Sequence, residues 1–155
     1  MPSDPNRRFG LAWLLFTGAL AVHVWDEAAH DFLSVYNPTA RAIRGRFPFL
    51  PLPVFSFRDW LILLGAAILL LLALSPFVFR GTRWLKIAAI PVALLAGLAN
   101  GTLHLLASLY YGRWMPGVYS APLLLAAGGW LLYTARAAPK NRQDKGQRAR
   151  SVSAS

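Results

Sequence analysis

From Leu61 to Ser75 the chain reads LILLGAAILLLLALS, with no charge and a single hydroxyl. A helix that is apolar all round needs apolar surroundings on every side. For a chain of 155 residues that environment is a lipid bilayer, where only a helix or a closed barrel satisfies its own backbone groups. The surrounding stretch from Asp59 to Phe79 has the length of one crossing and ends at the basic turn Arg80-Gly81-Thr82-Arg83.

Three further segments repeat the pattern. Phe9 to Trp25 is broken only by Thr17, Gly18 and His23, and its helical pattern runs on to Tyr36, where Asn37-Pro38 supplies a stop. Trp84 to about Tyr110 forms another, with small residues Ala96, Gly97, Ala99 and Gly101 permitting close helix approach around Asn100. Met115-Pro116-Gly117 opens the last, which runs through Arg136. The expected fold is therefore all-α: a polytopic integral membrane protein with four transmembrane helices in a bundle, at about 9–36, 59–79, 84–110 and 116–136. The four make one domain, 1–136, and a basic, disordered cytoplasmic tail occupies 137–155. Residues 37–58, rich in Pro, Arg and Phe, are expected along the outer interface, where Arg41, Arg44 and Arg46 meet lipid phosphates. A cleavable signal peptide ending near Ala19-Leu20-Ala21 is the competing reading of the first segment.

Composition agrees, at 56% hydrophobic and 14% charged. The net charge of +10 does not point to nucleic acid, because the basic residues lie at the ends and in short connections and form no single face. Eleven of the sixteen (Arg7, Arg8, Arg80, Arg83, Lys86, Arg136 and those of the tail) fall on one side if both termini are cytoplasmic. That bias sets the orientation and fits a multi-pass protein of a bacterial-type plasma membrane. Tyr110, Tyr111, Trp114 and Tyr119 make an aromatic belt at the opposite surface. With no cysteine, thiol chemistry and thiolate metal sites are excluded.

The chemistry concentrates in HVWDEAAH, His23 to His30, which holds two of the three histidines and the only glutamate. On a helix His23, Asp26, Glu27 and His30 share one arc of about 100°. The third histidine, His104, lies one turn after Asn100. His23 is about 21 Å along its helix from Phe9, and Asn100 about 20 Å along its own from Ile87; Glu27 and His104 are each about 6 Å further out. Their depths match, so the two polar faces can meet in the outer half of the bilayer, where ionisable residues turn inward and mark function. Two imidazoles and a carboxylate are a ligand set for zinc or non-haem iron with a position left open. The candidate metal ligands and catalytic residues are His23, Glu27 and His104. Asn100, Asp26 and His30 are candidates for supporting or substrate-contacting roles; for Asp26 and Asp31 alone, solvation in the headgroup region is the simpler reading. Free N–H groups of Val118, Tyr119 and Ser120 at the last helix's start offer a dock for an anionic group, though an ordinary helix start explains them more simply. Arg58-Asp59 reads as a local interfacial pair.

The chain resembles the family of small membrane proteins named for a His-x-x-Glu-Glu motif, the HXXEE family. His23-Val24-Trp25-Asp26-Glu27 matches its first motif; Asn100-Gly101-Thr102-Leu103-His104, followed by Trp114-Met115-Pro116-Gly117, resembles its second. Together these span residues 23 to 121. Asp26 stands where the family has its first glutamate and is a shorter arm. The resemblance implies a shared polar site and no particular reaction. The function expected is a membrane-embedded metal-dependent enzyme acting on a lipid or amphiphile, with zinc or iron as cofactor. The alternative is a non-enzymatic small transporter or accessory subunit whose polar face binds an ion, a proton or a partner helix. Oligomeric state is left open.

Overall fold

The computed structural model describes residues 4–137. The expected basic tail therefore lies, but for residue 137, outside the described residues. Five helices make up the described residues: α1 (Pro5–Ala29), α2 (Phe32–Arg46), α3 (Phe57–Phe79), α4 (Arg83–Tyr111) and α5 (Ala121–Arg136). Three of them, α1, α3 and α4, are long and apolar enough to cross a membrane.

Helix α1 is the centre of the assembly, with α3 on one side and α5 on the other, and α5 in turn packs on α4. Its starting cap is Asp4, whose side chain accepts from the Asn6 N–H, with Pro5 at the first helical position where a missing N–H costs nothing. Phe9, Trp13 and Phe16 recur at helical spacing and are fully buried with Val78, Leu85, Leu124 and Leu131. The Trp13 indole donates to the Leu71 carbonyl at 2.8 Å, a polar tie between α1 and α3 within an otherwise apolar contact. Gly97 of α4 and Gly128 of α5 let two backbones touch, since a Cβ on either would lie 3.1 Å from the other's Cα.

The expected first helix, 9–36, is interrupted. It begins earlier, at Pro5, and stops at Ala29; Asp31 takes a left-handed conformation (φ 53°, ψ 51°), and α2 starts afresh at Phe32. At the break the His30 N–H makes the last regular helical bond, to the Asp26 carbonyl, and the His30 ring Nδ1 lies 2.8 Å from the same carbonyl. An aspartate tolerates the left-handed region better than most residues. Asn37-Pro38 is not the stop, for Pro38 lies inside α2. Asn37 instead clasps the returning strand of chain, donating to the Phe55 carbonyl at 2.9 Å and accepting from its N–H at 3.0 Å. Val24, Leu33 and Trp60 are buried together, with Phe32, Tyr36 and Phe55 packed around them, so α2 is held against α1 and α3. Arg41, Arg44 and Arg46 are exposed on α2.

Helix α4 contains a wider, π-helical stretch, Ala93–Ala99, between its two α-helical parts. Pro91 precedes it. A proline within a helix lacks an N–H and crowds the carbonyl four residues back, and a π-turn is one way for the ladder to resume. One inserted residue rotates all that follows by about 100°, and Asn100 and His104 both follow. The last helix, expected from 116, begins at Ala121. Pro116 to Ser120 form a turn in which Gly117 has φ +83°, a conformation a helix cannot contain.

Candidate metal centre

Helix α1 delivers His23 and Glu27 on successive turns of its inner face; α4, after its π-helical stretch, delivers Asn100 and His104. His23, Glu27 and His104 are all buried, at 0%, 4% and 7% exposure. Glu27 Oε1 lies 3.0 Å from His104 Nε2 and 3.6 Å from His23 Nε2, and the two imidazole rings meet edge to face with centroids 4.7 Å apart. One ligand atom from each of the three residues falls within 4.8 Å of the others, so this group could hold a metal ion. Four-coordinate zinc places its ligands roughly 3.4 Å apart, so a modest contraction closes the set.

The far sides of both rings determine what the near sides offer. His104 Nδ1 faces the Pro116 carbonyl, which can only accept, so the proton is on Nδ1 and the Nε2 lone pair is directed inward. His23 Nδ1 is 2.8 Å from Ser120 Oγ, and that hydroxyl lies 2.7 Å from the Asp26 carboxylate. The hydroxyl proton goes to the carboxylate, so His23 Nδ1 must donate to Ser120 and its Nε2 lone pair also faces inward. Two inward lone pairs beside a carboxylate oxygen make three acceptors, of which only His23 Nε2 has a donor, the Asn100 amide, while Glu27 Oε1 and the His104 Nε2 lone pair face each other at 3.0 Å. Only a cation or an added proton makes their proximity favourable. Asn100 Nδ2 contributes one hydrogen bond, to His23 Nε2 at 3.1 Å.

Asp26 is not a headgroup-solvated residue. It is 4% exposed and accepts from both Ser120 N–H (2.9 Å) and Ser120 Oγ (2.7 Å). Of the three N–H groups weighed for an anionic dock at the α5 start, that of Ser120 is taken by the chain's own Asp26 and that of Val118 by the Met115 carbonyl. His30 stays outside the trio: 47% of its side chain is exposed, and it tilts over Tyr119 with centroids 5.2 Å apart. Its Nδ1 is 2.8 Å from both the Asp26 carbonyl and Oδ1; the ring N–H aligns with the carbonyl, which leaves Oδ1 without an aligned donor. Asp59 faces Ser56, not Arg58: Ser56 caps α3 by accepting from the Asp59 N–H and donates its hydroxyl to the Asp59 carboxylate.

Two residues have roles at the site that the sequence does not show. Ser120 offers a backbone N–H by its position, but its hydroxyl also links Asp26 to His23. Gly117 belongs to the Met115-Pro116-Gly117 stretch, and a Cβ there would lie 2.6 Å from His104 Cε1 and 3.0 Å from His23 Cε1. The Pro116-Gly117 pair after a histidine in a long apolar helix is the signal that points to it.

Two cavities flank the cluster. One, about 260 Å³, lies beneath α2 and reaches Asn100 and His104 past Phe32, Tyr36 and Pro116. The other, about 300 Å³, reaches His23, Glu27 and Asn100 from between α1, α3 and α4. No family model, curated protein or solved structure matches this chain.

Proposed function

We propose that the chain is a membrane-embedded, metal-dependent enzyme in which His23, Glu27 and His104 hold zinc or iron and act on a lipid or amphiphile. The observation that carries this is the pair of outer hydrogen bonds, Ser120 to His23 and Pro116 to His104, which turn both Nε2 lone pairs onto Glu27. Metal-binding histidines elsewhere are fixed in the same way, by donating their second nitrogen to a carbonyl or a carboxylate-linked partner. An ion here would supply activated water or, with iron, oxygen chemistry. Asn100 would leave the His23 lone pair to the ion and turn its amide toward the open side, where it can orient a substrate carbonyl or water.

The reading includes four crossings with both termini cytoplasmic. Its support is the eleven-to-five division of basic residues and the sixteen residues of α5, about 24 Å of helix, lengthened by the preceding turn. It also includes membership of the HXXEE family, whose two motifs supply the two halves of the cluster.

Elemental analysis of purified wild type, Glu27→Gln, His104→Ala and the double variant tests it. Ligands of one ion are non-additive, so both single variants and the double should fall to the same low metal content. Asp59→Asn, which touches only the α3 cap, should keep full content. Single variants that retain the metal would overturn the proposal. The 3.0 Å Glu27–His104 contact is also satisfied by a shared proton. A wild type without metal would therefore favour the second reading, a non-enzymatic transporter or accessory subunit with a proton-binding pair.

A further inference from the structure

The larger of the two cavities lies in the span of the membrane and opens sideways. Helix α3 packs along α1, but its approach to α4 is confined to the Arg83–Val92 end, so a crevice separates the two beyond that point. Leu20 and Val24 of α1, Leu64, Ala67 and Leu71 of α3, and Ala96 of α4 line it. Ala67 and Leu70 are exposed, which places the mouth on the lipid-facing surface. Along α4 the crevice runs from Val92 to Asn100, about 12 Å, and its polar groups, His23, Glu27 and Asn100, sit together at the Asn100 end. An apolar channel with ionisable groups at one end is shaped for a molecule with the same division. In a bilayer it fills with hydrocarbon, because apolar cavities do not hold water.

The second cavity meets the cluster from the other side and shares Asn100 with the first. Its roof is the first turns of α2, whose later turns expose Arg41, Arg44 and Arg46. Over residues 31–59, Arg41, Arg44, Arg46 and Arg58 outnumber Asp31 and Asp59, so this segment is net cationic. The volume of the crevice, about 300 Å³, is at the small end for organic ligands and has room for one chain.

We infer that the occupant is a single-chain anionic amphiphile: its acyl tail enters the α3–α4 crevice from the lipid, its reacting polar group reaches His23, Glu27 and Asn100, and its headgroup leaves beneath α2 toward the arginines. This names the substrate class for the function proposed above and rests on that reading, although the binding itself does not require a metal.

The probe is 1-palmitoyl-lysophosphatidylglycerol with a diazirine in mid-chain, photolysed with the full-length protein in detergent and mapped by peptide mass spectrometry. Label is expected on the Leu20–Glu27 and Leu64–Leu71 segments. Ala67→Trp, at an exposed position that fills the mouth, should reduce it about fivefold or more, as steric filling of an occupied site does. Ala96→Leu, on the opposite wall, should do the same, and both variants should keep the wild-type metal content. Arg41→Gln/Arg44→Gln should weaken labelling by the anionic probe and not by palmitoyl-monoacylglycerol. Labelling indifferent to Ala67→Trp and Ala96→Leu overturns the proposal. So does equal competition by dipalmitoyl-phosphatidylglycerol, which refutes one chain, or by the uncharged monoacylglycerol, which refutes the anionic headgroup. Crevice labelling in a wild type free of metal would sink the metal reading and leave the lipid site standing.

Discussion

Gly117→Ala adds one methyl group at the point where the turn before α5 crosses both histidines. Two costs arise. At φ +83° an L-residue is strained by roughly 1–2 kcal/mol. The new Cβ, 2.6 Å from His104 Cε1, 2.7 Å from its Nδ1 and 3.0 Å from His23 Cε1, must also push both rings aside. Overpacking of this kind costs about 1–3 kcal/mol. The sum, about 2–5 kcal/mol, corresponds to roughly 30- to 5,000-fold in an equilibrium constant. If the rings yield, the loss appears in metal affinity, because Nε2 moves with the ring; if the turn yields, it appears as lower thermal stability and loss of the Pro116–His104 hydrogen bond. Competition with a chromophoric chelator and thermal unfolding in detergent measure the two. Gly112→Ala is the control: φ is +60° there, but nothing lies within 4 Å of the added atom, so it carries the strain without the collision. It should lower stability modestly and leave metal binding unchanged. Gly117→Ala indistinguishable from Gly112→Ala in both assays would refute the placement of the turn against the rings.

Ser120→Ala removes the acceptor of His23 Nδ1 and a donor to Asp26, and should lower metal affinity about 10- to 100-fold while the helices stay folded, as read by chelator competition and circular dichroism. Unchanged affinity would show that the His23 tautomer is not set from that side. Trp13→Phe should cost about 1 kcal/mol or somewhat more in unfolding free energy through its bond to the Leu71 carbonyl, and should not alter metal content. Gly128→Val should part α4 from α5 at Gly97 and destabilise by about 1–3 kcal/mol, against little change for Gly129→Ala, which meets nothing within 4 Å. A reporter enzyme active only in the cytoplasm should be silent when fused after Arg46 and active after Arg136; activity at Arg46 would reverse the proposed orientation.

The three helices long and apolar enough to cross a membrane were legible because their signal is one of composition over twenty residues, and the meeting of His23 and Glu27 with Asn100 and His104 followed from rise per residue alone. What the sequence hid was set by tertiary contacts. The stop at His30-Asp31 carries no glycine or proline; the chain turns there through a left-handed Asp31, with the His30 ring against the Asp26 carbonyl. Pro38, the apparent stop, is absorbed within α2. The delayed start of α5 shows the reverse case: Pro116 reads as a helix opener, yet its carbonyl is needed by His104, and Gly117 turns the chain to deliver it. Asp26 looked interfacial by depth, and only a partner ninety-four residues away accounts for its burial.

X-ray absorption at the metal edge of protein purified without added ions tests the central claim most directly. The expected spectrum is that of zinc or iron at one equivalent with two imidazole nitrogens near 2.0–2.1 Å and one or two oxygen ligands, with the edge itself falling to a low level in His104→Ala. A wild-type spectrum without imidazole scattering, or one unaltered by His104→Ala, would contradict a metal centre built from His23, Glu27 and His104.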